Sequence, residues 1–419
     1  MFKKDFLKNR IPVVMEPIRN VRSISIGIWV KVGSRDEGEA KNGISHFLEH
    51  MFFKGTKKRS AKDLAVEIDS IGGELNAFTS REGTTFYSKV RDEHLPEAVA
   101  LLSDIFLNST LNEEDIEKEK GIIIEEIKMV EDSPDEYIHD LLNQSIWGAK
   151  GLGQSVLGRR ETIKAVTRKD LLQHIRRYYN PQNIVVAAAG NFDIKRLIGL
   201  LDSELGRFKR NGRIKTIKKN KCHAFQGNVT VMPKDLSEVH ICLGIKALPQ
   251  NHEKRYALYI LNSILGAGVS SRLFQEIREQ RGLAYSIYSY VAPYFDTGIL
   301  GVYAGTGKRN AKEVVQLTIE ELSKLKGGIT EEELRRAKEQ LKGSIILGLE
   351  STSSRMSQIA RQEIYFGRYF SQDDLTREIE KTTMQEVTSL SKEMLKKENI
   401  SLAVMGRVRQ RDFEKVIDL

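Results

Sequence analysis

Cysteine is nearly absent from this chain of 419 residues: there are 2, Cys222 and Cys242, too few for a disulfide framework. Cys242 falls in the alternation Val239-His240-Ile241-Cys242-Leu243, where it reads as a small core residue, and a reducing compartment is expected. Long apolar runs are missing too. The opening residues Met1-Phe2-Lys3-Lys4-Asp5-Phe6-Leu7-Lys8 hold no apolar stretch of the signal-peptide kind, and nowhere do ~18 apolar residues run together. A soluble, cytoplasmic protein with no membrane partner is therefore expected. No arginine-rich block or ladder of basic and aromatic residues is present either. The formal charge of +9, from 66 Lys+Arg against 57 Asp+Glu, thus reads as a solvated mixed surface, and no nucleic-acid partner is expected. What the chain has is apolar substance: 40% of its residues, enough over this length for two or three domains with large cores.

The sequence repeats itself weakly. Asn183-Ile184-Val185-Val186-Ala187-Ala188-Ala189-Gly190 and Asn399-Ile400-Ser401-Leu402-Ala403-Val404-Met405-Gly406 are both short apolar strands ended by glycine, displaced by 216 positions. Leu111-Asn112-Glu113-Glu114-Asp115-Ile116 and Ile329-Thr330-Glu331-Glu332-Glu333-Leu334, both capped, acidic helix starts, are displaced by 218. Trp147-Gly148 and Phe366-Gly367 differ by 219. Matches in chain order at nearly one offset indicate two halves of like topology, 1–210 and 225–419, joined by a basic, turn-rich linker at 211–224.

Within the first half, Ser23 to Val30 alternates as a half-buried strand. Ser60-Ala61-Lys62-Asp63 starts a helix with a capping box, and Gly72-Gly73 ends it. Strands are expected at Glu74 to Thr79 and Thr84 to Val90. Helices are expected from Leu95 to Leu107, from Glu113 to Val130 and, with Pro134 at its first position, from Pro134 to Ile146. Strands gathered around runs of helices give an α+β fold with one α/β sandwich per half.

The chemistry is concentrated in Gly43-Ile44-Ser45-His46-Phe47-Leu48-Glu49-His50-Met51-Phe52-Phe53. On a helix, His46 and His50 lie one turn apart on one face, where two imidazoles can share one Zn²⁺, and Glu49 projects beside them within reach of a water on that ion. The order is H-x-x-E-H. A hydrolytic zinc takes a third protein ligand, and the helix Glu113 to Val130 offers two. At ~100° per residue with Ile116 as zero, Ile123, Ile127 and Val130 define the buried stripe. Glu119 and Glu126 fall at roughly −60° and −80°, on its edge, while Glu125 falls opposite, facing water. Carboxylates on an apolar face are costly unless paired or bound to metal.

His46-Phe47-Leu48-Glu49-His50-Met51-Phe52-Phe53-Lys54-Gly55-Thr56, followed 76 residues after His50 by Glu126, resembles the pitrilysin (M16) family of zinc metallopeptidases. Within it the likeness is to processing-peptidase β subunits and single-chain bacterial proteases, and it spans nearly the whole chain. The resemblance implies one zinc per chain on His46, His50 and Glu126, Glu49 as general base and Glu119 as an accessory acidic residue needed for activity. It also implies a clam-shell-like peptidase architecture. Gly72-Gly73-Glu74-Leu75-Asn76-Ala77-Phe78-Thr79 is similar to the family's edge strand, which implies that substrate pairs along Asn76, Ala77 and Phe78 by strand addition. Read alone, that strand is an ordinary edge with Asn76 in a bulge. In the second half, Ala337 and Ser344 stand where the repeat would place Glu119 and Glu126, and H-x-x-E-H does not recur. The segment Ser271 to Ser286 resembles the family's region carrying an Arg and a Tyr seven residues apart, here Arg278 and Tyr285. The likeness implies that Tyr285 donates to a developing oxyanion and Arg278 holds substrate backbone.

The expected activity is hydrolysis of unfolded peptides, with family likeness implying a chamber closed by four such halves and hence a homodimer. A heterodimeric presequence-processing subunit and a core-protein-like scaffold are the competing readings, and a mature mitochondrial matrix protein would look the same.

Overall fold

The computed structural model describes residues 2–208, 224–414 and 416. The chain forms two compact units. Unit 1 comprises 1–128, 155–220 and 348–369, and unit 2 comprises 129–154, 221–347 and 370–419. Most of the proposed linker at 211–224, and Cys222 with it, lies outside the described residues.

Unit 1 is built on strands β1 (Lys3–Phe6), β2 (Pro12–Pro17), β3 (Ser23–Val30), β4 (Glu74–Thr79), β5 (Thr84–Arg91) and β6 (Ile184–Gly190), paired in the order β1-β2-β6-β3-β5-β4. Unit 2 holds β7 (Val229–Pro233), β8 (Val239–Ala247), β9 (Ala284–Pro293), β10 (Gly298–Thr306) and β11 (Ile400–Gly406), in the order β7-β11-β8-β10-β9. Without β1, the two orders are the same. Each contains one parallel pair at the corresponding place, β2 with β6 and β7 with β11. The repeat in the sequence is thus a repeat of sheet topology. Its markers fall where the offsets place them: β6 and β11 are fully buried strands of 7 residues starting at Ile184 and Ile400. The helices ending at Trp147 and Phe366 both stop at glycines with positive φ, 72° at Gly148 and 66° at Gly367, a backbone that glycine adopts freely.

The units differ from the contiguous halves in one respect that follows from how buried these strands are. In β6, Ile184, Val186 and Ala188 face the main core, while Val185, Ala187 and Ala189 face the other side. That second face is covered by Met356, Ile359 and Ala360 of helix Thr352–Phe366, a segment from the second half of the chain. In unit 2, Ala403 and Met405 of β11 and Cys242 of β8 are covered by Ile138, Leu142 and Ile146 of helix Pro134–Trp147, from the first half. The halves therefore exchange one helix each. A strand apolar on both faces needs cover on both, and each fully buried Ile or Met contributes roughly 1.5–3 kcal/mol. Cys242 is fully buried, as expected from its alternation.

The main core of unit 1 also positions the motif. In helix Ile44–Phe52, Ile44, Phe47, Leu48, Met51 and Phe52 are buried, the i, i+3, i+4, i+7 pattern of an amphipathic helix. They pack with Ile24, Ile26 and Ile28 of β3. His46, Glu49 and His50 are left on the opposite side.

Candidate metal centre

The motif helix starts at Gly43, whose φ of +92° is left-handed, and a Cβ there would lie 2.6 Å from the carbonyl oxygen of Leu157. Glycine has no side chain to cap the helix, and Glu37 does so from outside. Its Oε2 accepts from the Gly43 amide at 2.7 Å and the Asn42 side chain at 3.1 Å, and its Oε1 from the Ser45 amide at 2.8 Å. A carboxylate at this end also opposes the positive pole of the helix.

Helix Glu113–Asp132 buries Ile116, Glu119, Ile123 and Ile127. Glu119 and Glu126 come to the motif helix, whereas Glu125 is 67% exposed and paired with Lys128. Ile122, next to the buried Ile123, is half exposed at 50%, because helix Glu113–Asp132 meets the core on one side only. Nε2 of His46 and Nε2 of His50 lie 3.6 and 3.7 Å from Oε2 of Glu126. These separations are too long for hydrogen bonds. They are close to the ~3.4 Å that separates neighbouring donors around a tetrahedral ion with bonds of ~2.05 Å. The three donor groups lie within 4.8 Å of one another, and among the described residues no second group of three such side chains does so.

The His46 imidazole is in the state a metal ligand needs. Burial, with the neighbouring charge of His50, lowers the His46 pKa to about 3, so its imidazole is neutral at neutral pH and keeps a lone pair. Burial raises the Glu126 pKa while His50 pulls it back. Oε2 of Glu126 is buried and has no hydrogen-bond partner, a lone-pair donor that a cation would satisfy. His50 turns Nδ1 to Oε2 of Glu119 at 3.0 Å, and Oε1 of Glu119 takes Lys54 Nζ at 2.6 Å. A ring nitrogen held by a carboxylate leaves the other free to ligate. Glu49 is raised by burial, an effect offset in part by the Thr79 hydroxyl, which donates to its Oε2 at 2.5 Å.

The edge strand β4 pairs with β5 in unbroken antiparallel register from Glu74 to Thr79, so Asn76 sits in no bulge. Among the described residues its other side has no strand partner, and Phe78 is 40% exposed. Arg278 and Tyr285 belong to unit 2. Arg278 lies within a π-helical segment, Phe274–Gln280, and its guanidinium carbon lies 5.2 Å from the Tyr285 ring centroid and 4.8 Å from that of Phe274. Tyr285 is 82% exposed.

Sequence reasoning passed over Glu37, Lys54 and Thr79 as site residues. Each reaches the motif helix or its partners from a separate segment, and only Lys54 carries a local cue, standing four residues after His50.

Comparison with known proteins finds relatives over nearly the whole chain. A family model described as Insulinase (Peptidase family M16) matches residues 13–160, and one described as Peptidase M16 inactive domain matches residues 165–341. The chain is 41% identical over 407 residues to the uncharacterized zinc protease YmxG of Bacillus subtilis, covering 97% of this chain and 98% of that one. The fold matches a protease from Helicobacter pylori with a TM-score of 0.89 at 24% identity, over 97% of this chain and 99% of that one. It also matches a chain of Complex III2 from Candida albicans with a TM-score of 0.85 at 22% identity, over 99% and 97%.

Proposed function

The chain belongs to peptidase family M16, and from that premise we propose that it is a zinc metalloendopeptidase that hydrolyses unfolded peptides. The observation that carries this reading is the convergence of Nε2 of His46, Nε2 of His50 and Oε2 of Glu126 beside the Glu49 carboxylate. When bound, one zinc per chain supplies a Lewis acid that polarises a peptide carbonyl and makes water more acidic. His46, His50 and Glu126 hold it. Glu119 fixes the His50 ring through Nδ1.

Glu49 is the general base: it accepts the proton of the attacking water and passes it to the leaving amine. Burial favours its protonated form, which suits a group that must hold a proton between the two transfers. The Thr79 hydroxyl orients this carboxylate. A peptide added along Asn76, Ala77 and Phe78 of β4 runs toward Thr79, and so toward the base. The unpaired side of β4 and its register support that assignment. Tyr285 as oxyanion donor and Arg278 as a clamp on substrate backbone complete the proposal, supported by the exposure of Tyr285 and the adjacency of the two side chains.

An enclosed chamber formed by a homodimer is part of the same reading, since the family closes its chamber with four halves and this chain has two. An active monomer in light scattering would contradict it. Among the described residues no helix is long and apolar enough to cross a membrane, and a cytoplasmic setting is proposed from the sparse cysteine. A scaffold role is opposed by the complete donor set.

Glu49→Gln tests the assignment. It is expected to retain zinc while cleavage of an unstructured peptide falls by about 10²-fold or more; near-wild-type cleavage would overturn it.

A further inference from the structure

The turn after the motif helix carries a lysine whose place in the site has no explanation in the ligand set itself. Lys54 follows the helix end at Phe52 by two residues, and its amide still bonds the Met51 carbonyl at 3.2 Å. Its side chain reaches back across to helix Glu113–Asp132 and places Nζ 2.6 Å from Oε1 of Glu119. This is not an ordinary surface ion pair. The Glu119 side chain is 3% exposed and that of Lys54 33%. A carboxylate so buried is costly without a cation close by.

The two oxygens of Glu119 are divided between two partners, Oε1 on Lys54 and Oε2 on Nδ1 of His50. With Nδ1–H donated to the carboxylate, the lone pair of His50 is on Nε2, the atom facing Glu126. Among the described residues Lys54 is the ion-pair partner of Oε1; without it the carboxylate can turn toward water and release the ring.

We propose that Lys54 is a positioning residue for the metal centre, acting through Glu119 to fix the orientation and tautomer of His50. This rests on the metallopeptidase reading above. The ammonium does not touch substrate or metal in this role. It supplies the charge that keeps the buried Glu119 carboxylate aimed, and its flexible stem lets a residue beyond the helix end do so.

The test measures zinc affinity of the full chain by chelator competition, independently of turnover. Lys54→Met should weaken zinc binding about 10- to 100-fold, the usual effect of losing an outer-shell partner. Lys54→Arg should recover most of that loss, because a guanidinium can also meet the carboxylate. The discriminating variant is Glu119→Gln, whose side chain needs no compensating cation. On that background Lys54→Met should change zinc affinity by less than about threefold, since the two residues act in series. Thermal melts in chelator report folding separately, and Lys54→Gln replaces Lys54→Met should the latter fail to fold. Wild-type affinity in folded Lys54→Met or Lys54→Gln, or a loss undiminished in the Glu119→Gln background, would overturn the proposal. A wild-type chain that binds no zinc would instead overturn the metallopeptidase reading on which it rests.

Discussion

Replacing Glu37 with glutamine should remove a pH-dependent part of the stability of the unit that carries the motif helix. The Glu37 carboxyl group is buried against the Asn42, Gly43 and Ser45 donors. Burial raises its pKa from 4.5 to about 7 in spite of them. Between these values the native state holds a proton that the unfolded chain has released. The stability this group contributes is therefore complete below 4.5 and is lost as the pH rises through about 7. The difference of 7 minus 4.5, at ~1.36 kcal/mol per pH unit, amounts to about 3 kcal/mol. Glutamine does not titrate. It also presents an NH₂ group to a site of N–H donors, a penalty on the order of 1–3 kcal/mol that does not vary with pH. Urea unfolding of both proteins between about pH 5 and about pH 8 separates the two effects. The wild type should lose about 3 kcal/mol relative to Glu37→Gln across that range. A gap that is constant with pH, or that grows in favour of the wild type as pH rises, would refute the reasoning. It would mean that the three donors and the helix pole outweigh burial and keep the carboxylate charged.

Two further outcomes check other parts of the structure. Glu126→Gln should weaken zinc binding by about 10²-fold or more, as loss of one of a few ligands from a site worth ~10–16 kcal/mol implies, whereas Glu125→Gln, at an exposed pair with Lys128, should leave it unchanged. The reverse pattern in chelator competition would mean that the helix faces the site with another phase. Glu82→Ala should destabilise unit 1 by roughly 1–3 kcal/mol in denaturant unfolding, because it removes a buried carboxylate that lies 2.6 Å from the Arg35 guanidinium and accepts from the Tyr365 hydroxyl. The double replacement Arg35→Met with Glu82→Leu should cost less than Glu82→Ala alone.

Much of the molecule was legible because its signals are local. The motif helix shows its buried face in the spacing of Ile44, Phe47, Leu48, Met51 and Phe52, and that leaves His46, Glu49 and His50 no other face. The same periodicity separated Glu119 and Glu126 from Glu125, though it left open which of the first two ligates. The repeat was readable as a fixed offset because β6 and β11 are buried on both sides and tolerate few residue types. The helix exchange was not readable. An apolar stripe such as Met356, Ile359 and Ala360 says that a helix is covered, and says nothing about which sheet covers it. Glu37, Lys54 and Thr79 escaped for a related reason. Each acts through contacts with residues that its own local pattern does not report, and no periodicity within one segment reveals contacts of that kind.

The central claim is that His46, His50 and Glu126 hold a zinc on which peptide hydrolysis depends. It is tested most directly by incubating the purified chain with a mixture of unstructured peptides, with and without a chelator, reading the products by mass and the zinc content of the same sample. About one zinc per chain is expected, with cleavage that stops with the chelator and returns on adding zinc, and with neither zinc nor cleavage in His46→Ala. Cleavage indifferent to the chelator, or undiminished in a chain free of zinc, would contradict it.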